Sequence, residues 1–162
     1  MPLLSAPDTL AVADAIVAFA RALTYPGGAP VYSVVQLSEI KDITDNVAGG
    51  SACLEVYAND DHSKRHAFGG RIRDEQSWYL LSLVNLDDAQ AAEQQIIKVR
   101  DVLVYPFQEH ATLGNAGSVF HAEILPTTGK FLRVFRNGQF LRAHLIEIFT
   151  VSEWQVVPGV IA

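Results

Sequence analysis

The chain reads as an α+β fold: a mixed or antiparallel β-sheet packed with two main helices and ending in a β-hairpin. Three observations predict this. Two stretches repeat apolar residues at intervals of three and four, most of the remainder consists of β-favouring runs cut by Gly and Pro, and Asn137-Gly138 separates two such runs. A chain of 162 residues has room for one sizeable core, so residues 1–162 are expected to form a single α+β domain.

The elements follow in order. Ser5-Ala6-Pro7-Asp8 has the form of a helix start, and Leu10, Ala13, Ile16 or Val17, Ala20 and Leu23 then mark one apolar face. The run from Tyr25 to Pro30 ends that helix, because proline lacks a backbone donor and paired glycines favour irregular backbone. Strands are predicted over 31–37 and 51–58, with a loop at 46–50 between them. Asn59 to Arg65 is the most polar stretch and is expected to be a loop leading into a strand at 66–73 that Gly69 and Gly70 weaken. Residues 77–85 are nearly all apolar, as in a strand buried on both faces, with a helix as the competing reading. Asp87 is the expected cap of the second helix, whose stripe is Ala89, Ala92, Ile96, Val99 and Leu103 and whose end is Pro106. A loop at 110–117, a strand at 118–125 and a turn at 126–129 follow. The closing hairpin pairs 131–136 with 139–150, and 153–157 adds a last strand.

Composition limits the function classes. With 49% hydrophobic and 19% charged residues the chain is ordinary for a globular protein. A net charge of -6 argues against gripping the phosphate backbone, which needs clustered Lys and Arg, so no specific nucleic-acid binding is expected. Cys53 stands alone, which excludes an intrachain disulfide and a multi-cysteine metal framework. The segment after Met1 lacks the basic start and apolar core of a leader. No run approaches the roughly 20 apolar residues of a membrane span, so synthesis in the cytoplasm and no membrane partner are expected.

No catalytic constellation stands out. Gly-x-Ser-x-Gly is missing, Gly114-Asn115-Ala116-Gly117 lacks the Gly-Lys-Ser/Thr ending of a phosphate loop, and Cys53 falls inside a strand. His62 and His66 lie four apart beside Asp60 and Asp61, but in a polar loop rather than on a helix. Asp60, Asp61, His62, Lys64 and Arg65 are therefore read as a solvated loop rather than as metal ligands, and become a candidate contact loop only if the chain assembles with partners. No metal, cofactor or catalytic residue is expected.

The hairpin is more informative. A two-residue turn at Asn137-Gly138 sets Arg136 opposite Gln139, Phe135 opposite Phe140 and Arg133 opposite Arg142. Leu132, Val134, Leu141, Ala143 and Leu145 then share the core face. Phe131, Arg133, Phe135, Phe140, Arg142 and His144 share the other, with two like charges facing each other among aromatic rings. Such a pair requires a negative partner: an acid of the same chain, which is favoured, an acid of a neighbouring subunit, or a phosphate. Aromatic and arginine residues are enriched at interface cores, which makes these six a candidate interface.

This order of elements resembles the small α+β subunits of siphophage tail terminators and related neck or tail-completion proteins. The stretch from Gly70 to Trp78, Asp88 to Glu93 opening a helix, Arg136-Asn137-Gly138 followed by Leu141 to His144, and the closing Glu153 to Val156 look like phage structural proteins of that type. The resemblance implies a homo-oligomeric ring, usually a hexamer, that caps the tail tube, touches the tail tube protein and the head–tail connector protein, and resides in the virion tail or neck. It implies neither catalysis nor a cofactor. The alternative is a nuclear-transport-factor-2-like domain, enzymatic or holding a small molecule between a curved sheet and its helices, although that fold starts with more helix before its sheet.

Overall fold

The computed structural model describes residues 9–109, 113, 119–125 and 129–155. Helix α1 spans Thr9–Arg21 and is followed by strand β1, Tyr32–Leu37. A short helix α2, Ile43–Asn46, and a 3-10 turn, Ala48–Gly50, lead into β2, Ala52–Phe68, and β3, Arg71–Asn85. Helix α3, Ala89–Glu109, precedes β4, Val119–Ile124, β5, Lys130–Arg136, and β6, Gln139–Gln155. The α+β class holds, and the sheet is mixed: β1 runs parallel to β2, while the other pairings are antiparallel. Its order is β1-β2-β3-β6-β4, with β5 pairing β6 beside β4.

Both helices cover one face of the sheet. Ala13, Ile16, Val17 and Ala20 of α1, with Ile96, Val99 and Leu103 of α3, pack on Leu54, Val56, Trp78, Leu80, Ile146 and Ile148. Leu10 does not join them and is exposed; Val12 fills that part of the face instead. The opposite face carries a second core, in which Ile40, Ile43 and Val47 meet Cys53, Leu81, Leu83, Leu141 and Ala143, with Leu132, Val134 and Leu145 at its margin. A sheet buried on both sides explains why 77–85 is so continuously apolar, and the segment is a strand. Cys53 is fully buried, and burial pushes its thiol pKa up.

Four sequence expectations change. Asn59 to Arg65 is no loop, because β2 continues through it to Phe68 with a register shift between Asn59 and Lys64. The chain reverses instead at Gly69-Gly70, both at positive φ, which sets Phe68 opposite Arg71 in a two-residue hairpin. Polarity marks this arm because residues 64–67 are exposed, so nothing selects apolar side chains on either face. The cap of α3 is Asp88 rather than Asp87: its Oδ1 accepts the amides of Gln90 and Ala91, both at 3.0 Å. Pro106 does not end α3, which continues through it to Glu109, and Phe107 is buried against Phe19, ring centroids 5.4 Å apart. Finally, 139–155 is one continuous strand rather than two. The helix-start signal at Ser5 to Asp8, most of the loop at 110–117 and most of the turn at 126–129 lie outside the described residues.

Candidate functional site

The closing hairpin has the register that its sequence predicts, from Phe131 opposite His144 to Arg136 opposite Gln139. Asn137 and Gly138 take φ of 52° and 80°, the left-handed pair that twists in the same sense as the flanking strands. The six candidate interface residues do share the face turned away from the second core, but they divide into two groups. Phe131, Arg142 and His144 lie toward α3; Arg133, Phe135 and Phe140 lie toward the tip.

The α3 group is engaged within the chain. Arg142 is ion-paired with Glu93 in the first turns of α3, so an acid of the same chain answers one of the two facing arginines. Phe131 lies under the guanidinium of Arg100, 5.3 Å from the ring centroid, and 4.8 Å from the His144 ring. His144 is buried at 2% exposure, and its Nδ1 has no hydrogen-bond partner among the described residues. It is thus no surface contact. It lines a cleft of about 590 Å³ between α3 and strands β4 and β6, together with Arg100, Phe107, Glu123 and Gly129.

Burial, reinforced by the nearby Arg100 charge and opposed by Asp101, lowers the His144 pKa to about 4. The unfolded chain, near 6.5, therefore binds the proton first as the pH falls. The stabilisation from neutral His144 is complete above about pH 6.5 and fades toward pH 4. A series of urea midpoints should decline from pH 6.5 to 5, and His144→Gln should flatten that decline; an undiminished slope in the variant would assign it to another group.

The tip group is open. Phe135 and Phe140 are 61% and 55% exposed, with ring centroids 5.0 Å apart and planes tilted by 59°. Arg133 is exposed and has no acidic partner among the described residues. Replacing Arg142 with glutamate would set two carboxylates together and disturb folding, which leaves Arg133→Glu as the clean probe of the surface.

Sequence reasoning missed the ionic centre of the hairpin. Arg136 crosses to β2, two strands beyond its own neighbour β6, and its Nη1 and Nη2 donate to the Glu55 carboxylate at 2.7 and 2.8 Å. The amide of Ile40 donates to Glu55 Oε2 at 2.7 Å and the Tyr57 hydroxyl to Oε1 at 2.8 Å. Asn137 Nδ2 donates to the Lys41 carbonyl at 3.0 Å, which pins the turn itself. The sheet must therefore curl, bringing the hairpin end over the second core. Burial raises the carboxyl pKa of Glu55, which is fully buried, but the bonds from Arg136, Ile40 and Tyr57 outweigh it and hold the group below the usual carboxylate value. Burial and the bond to Glu55 push the Tyr57 hydroxyl up to about 12. A lone Glu in a strand and a lone Arg beside a turn carry no joint signal in the sequence.

The predicted contact loop is the outer part of the β2–β3 arm. Arg65 pairs with Asp74 at 3.2 Å, and His66 faces Glu75 at 3.7 Å. Lys64 is exposed, while the side chains of Asp60, Asp61 and His62 lie outside the described residues. Arg71 and Arg73 both reach Glu153 of β6, at 2.9 and 3.6 Å, so the arm is stitched to the long strand beside it. No protein-family model matches the chain, and no curated protein matches it. Among the described residues no helix is long and apolar enough to cross a membrane.

Proposed function

We propose that this chain is a structural subunit of a phage virion, a ring-forming tail terminator or neck protein that caps the tail tube and meets the head connector, without catalysis. The observation that carries the reading is the aromatic pair Phe135–Phe140 beside Arg133, held open on a hairpin whose turn end is pinned by the side-chain bonds of Arg136 to Glu55 and of Asn137 to the Lys41 carbonyl. A rigid strand pair offering two exposed rings and a guanidinium has the make-up of an interface core rather than of a solvated surface. The element order, one helix, strands, a long second helix and a closing hairpin, supports the phage assignment through the resemblance. An acidic subunit suits a channel that must let DNA pass without holding its phosphates.

Sedimentation of the purified chain, alone and mixed with a tail tube protein, tests the reading. The expected result is a discrete ring-sized species, or concentration-dependent association that the tube protein enhances. A chain that stays monomeric in both conditions overturns it.

The cleft beside His144 favours a second reading, small-molecule binding between sheet and helix as in nuclear-transport-factor-2-like domains. It ranks behind the first because a single helix precedes the sheet among the described residues. A stable monomer whose His144 resonances shift on adding a small ligand would reverse the order.

A further inference from the structure

Two apolar surfaces of the described chain, at different places on the fold, concern the ring reading. One is the hairpin tip, which stands clear of α3 while Arg142 and Phe131, farther from the turn, pack on the flank of Glu93 and Arg100. The other is a groove of about 600 Å³ between the turn after α1 and the C-terminal half of α3, lined by Leu23, Tyr25, Pro26, Val102 and Tyr105. Tyr105 is 59% exposed there. At about 100° per residue, Val102 is turned some 160° from Arg100 when measured around the helix from one to the other, which sets the groove on the flank away from Arg100.

The charges at the two surfaces are opposite. Arg133 accompanies the aromatic pair without an acid of its own among the described residues, because Glu93 serves Arg142. Asp101 stands at the groove with its side chain 63% exposed, and Arg100 bonds only its Oδ1, at 2.8 and 2.9 Å.

We infer that the hairpin tip of one copy, Phe135 and Phe140, seats in the Tyr25–Tyr105 groove of the next copy, where Arg133 meets Asp101. The inference rests on the ring reading and deepens it by naming the two mating surfaces. A tip and a groove at different places on one chain make a head-to-tail contact, and such contacts close into rings when the rotation between copies permits. A two-fold dimer that paired tip with tip would leave both grooves empty, and one that exchanged tips reciprocally would stop the doubly substituted chain at a cross-linked dimer instead of a ladder.

Cysteine pairing tests this in a Cys53→Ala background. Phe140→Cys chains and Tyr105→Cys chains are prepared separately, oxidised alone and as a mixture, and resolved by non-reducing electrophoresis. Both positions are exposed, so folding should persist, and an unchanged thermal midpoint checks it. The expected result is a cross-linked dimer in the mixture only, and a ladder from the chain that carries both cysteines. Cross-linking of Phe140→Cys with itself, or an oligomer of normal size without the mixed cross-link, overturns this contact and leaves the ring reading standing. A parent chain that is monomeric with and without tube protein overturns both.

Discussion

Replacing Arg136 with methionine is expected to lower the folding stability by about 3–5 kcal/mol. Methionine keeps the apolar stem but removes the cation, so Glu55 is left fully buried with only the Ile40 amide and the Tyr57 hydroxyl as donors. The cost is mainly that of an uncompensated buried charge rather than of a lost attraction. Replacing both groups, Glu55→Leu with Arg136→Met, should therefore recover most of it.

The pH dependence gives a second check on the same pair. In the parent chain the Glu55 pKa is held below its unfolded value, so its contribution is present above the unfolded value and is lost as the pH falls through the folded one. Without Arg136 burial dominates and the pKa is raised, so the folded chain takes up the proton first and acid relieves the defect. The gap between parent and variant in urea midpoint should accordingly narrow from pH 7 toward pH 5. A loss under about 1 kcal/mol at pH 7, or a gap that widens in acid, would show that the pair does not hold the hairpin.

The second large effect concerns association. Phe135→Ala with Phe140→Ala should weaken self-association at least about 30-fold, the consequence of losing about 2 kcal/mol at an interface hot spot. Folding should change far less, since both rings are more than half exposed and their mutual contact contributes about 0.5–1.5 kcal/mol. Sedimentation over a concentration series reads the first quantity and urea unfolding the second. Equal association in parent and variant would remove the hairpin tip from the interface, whatever oligomer the chain forms.

The contrast between these variants follows from the division of the hairpin into an intrachain and an open part. Phe131, Arg142 and His144 belong to the packing against α3, whereas Arg133, Phe135 and Phe140 stand clear of it. The sequence pattern places all six on one face, because alternation along a strand is a local property. It contains no statement of how far a helix, drawn from elsewhere in the chain, extends across that face.

What the sequence determined by itself was local. The two helical stripes and the residue-by-residue register of the Asn137-Gly138 hairpin follow from spacing and from backbone conformations that few residues adopt, whereas the apolar run at 77–85 marked burial on both faces and left strand and helix open. Gly69-Gly70 carried a hairpin signal of the same kind, but the polarity of the arm before it looked like a loop: a strand with solvent on both sides loses the alternation by which strands are read. The tertiary structure alone decided that Arg142 is answered by Glu93 and that Arg136 finds Glu55, 81 positions away along the chain. Pairings of this kind depend on how the sheet curls and where the helix lies. Those are set by the packing of both cores together, and no single segment encodes them.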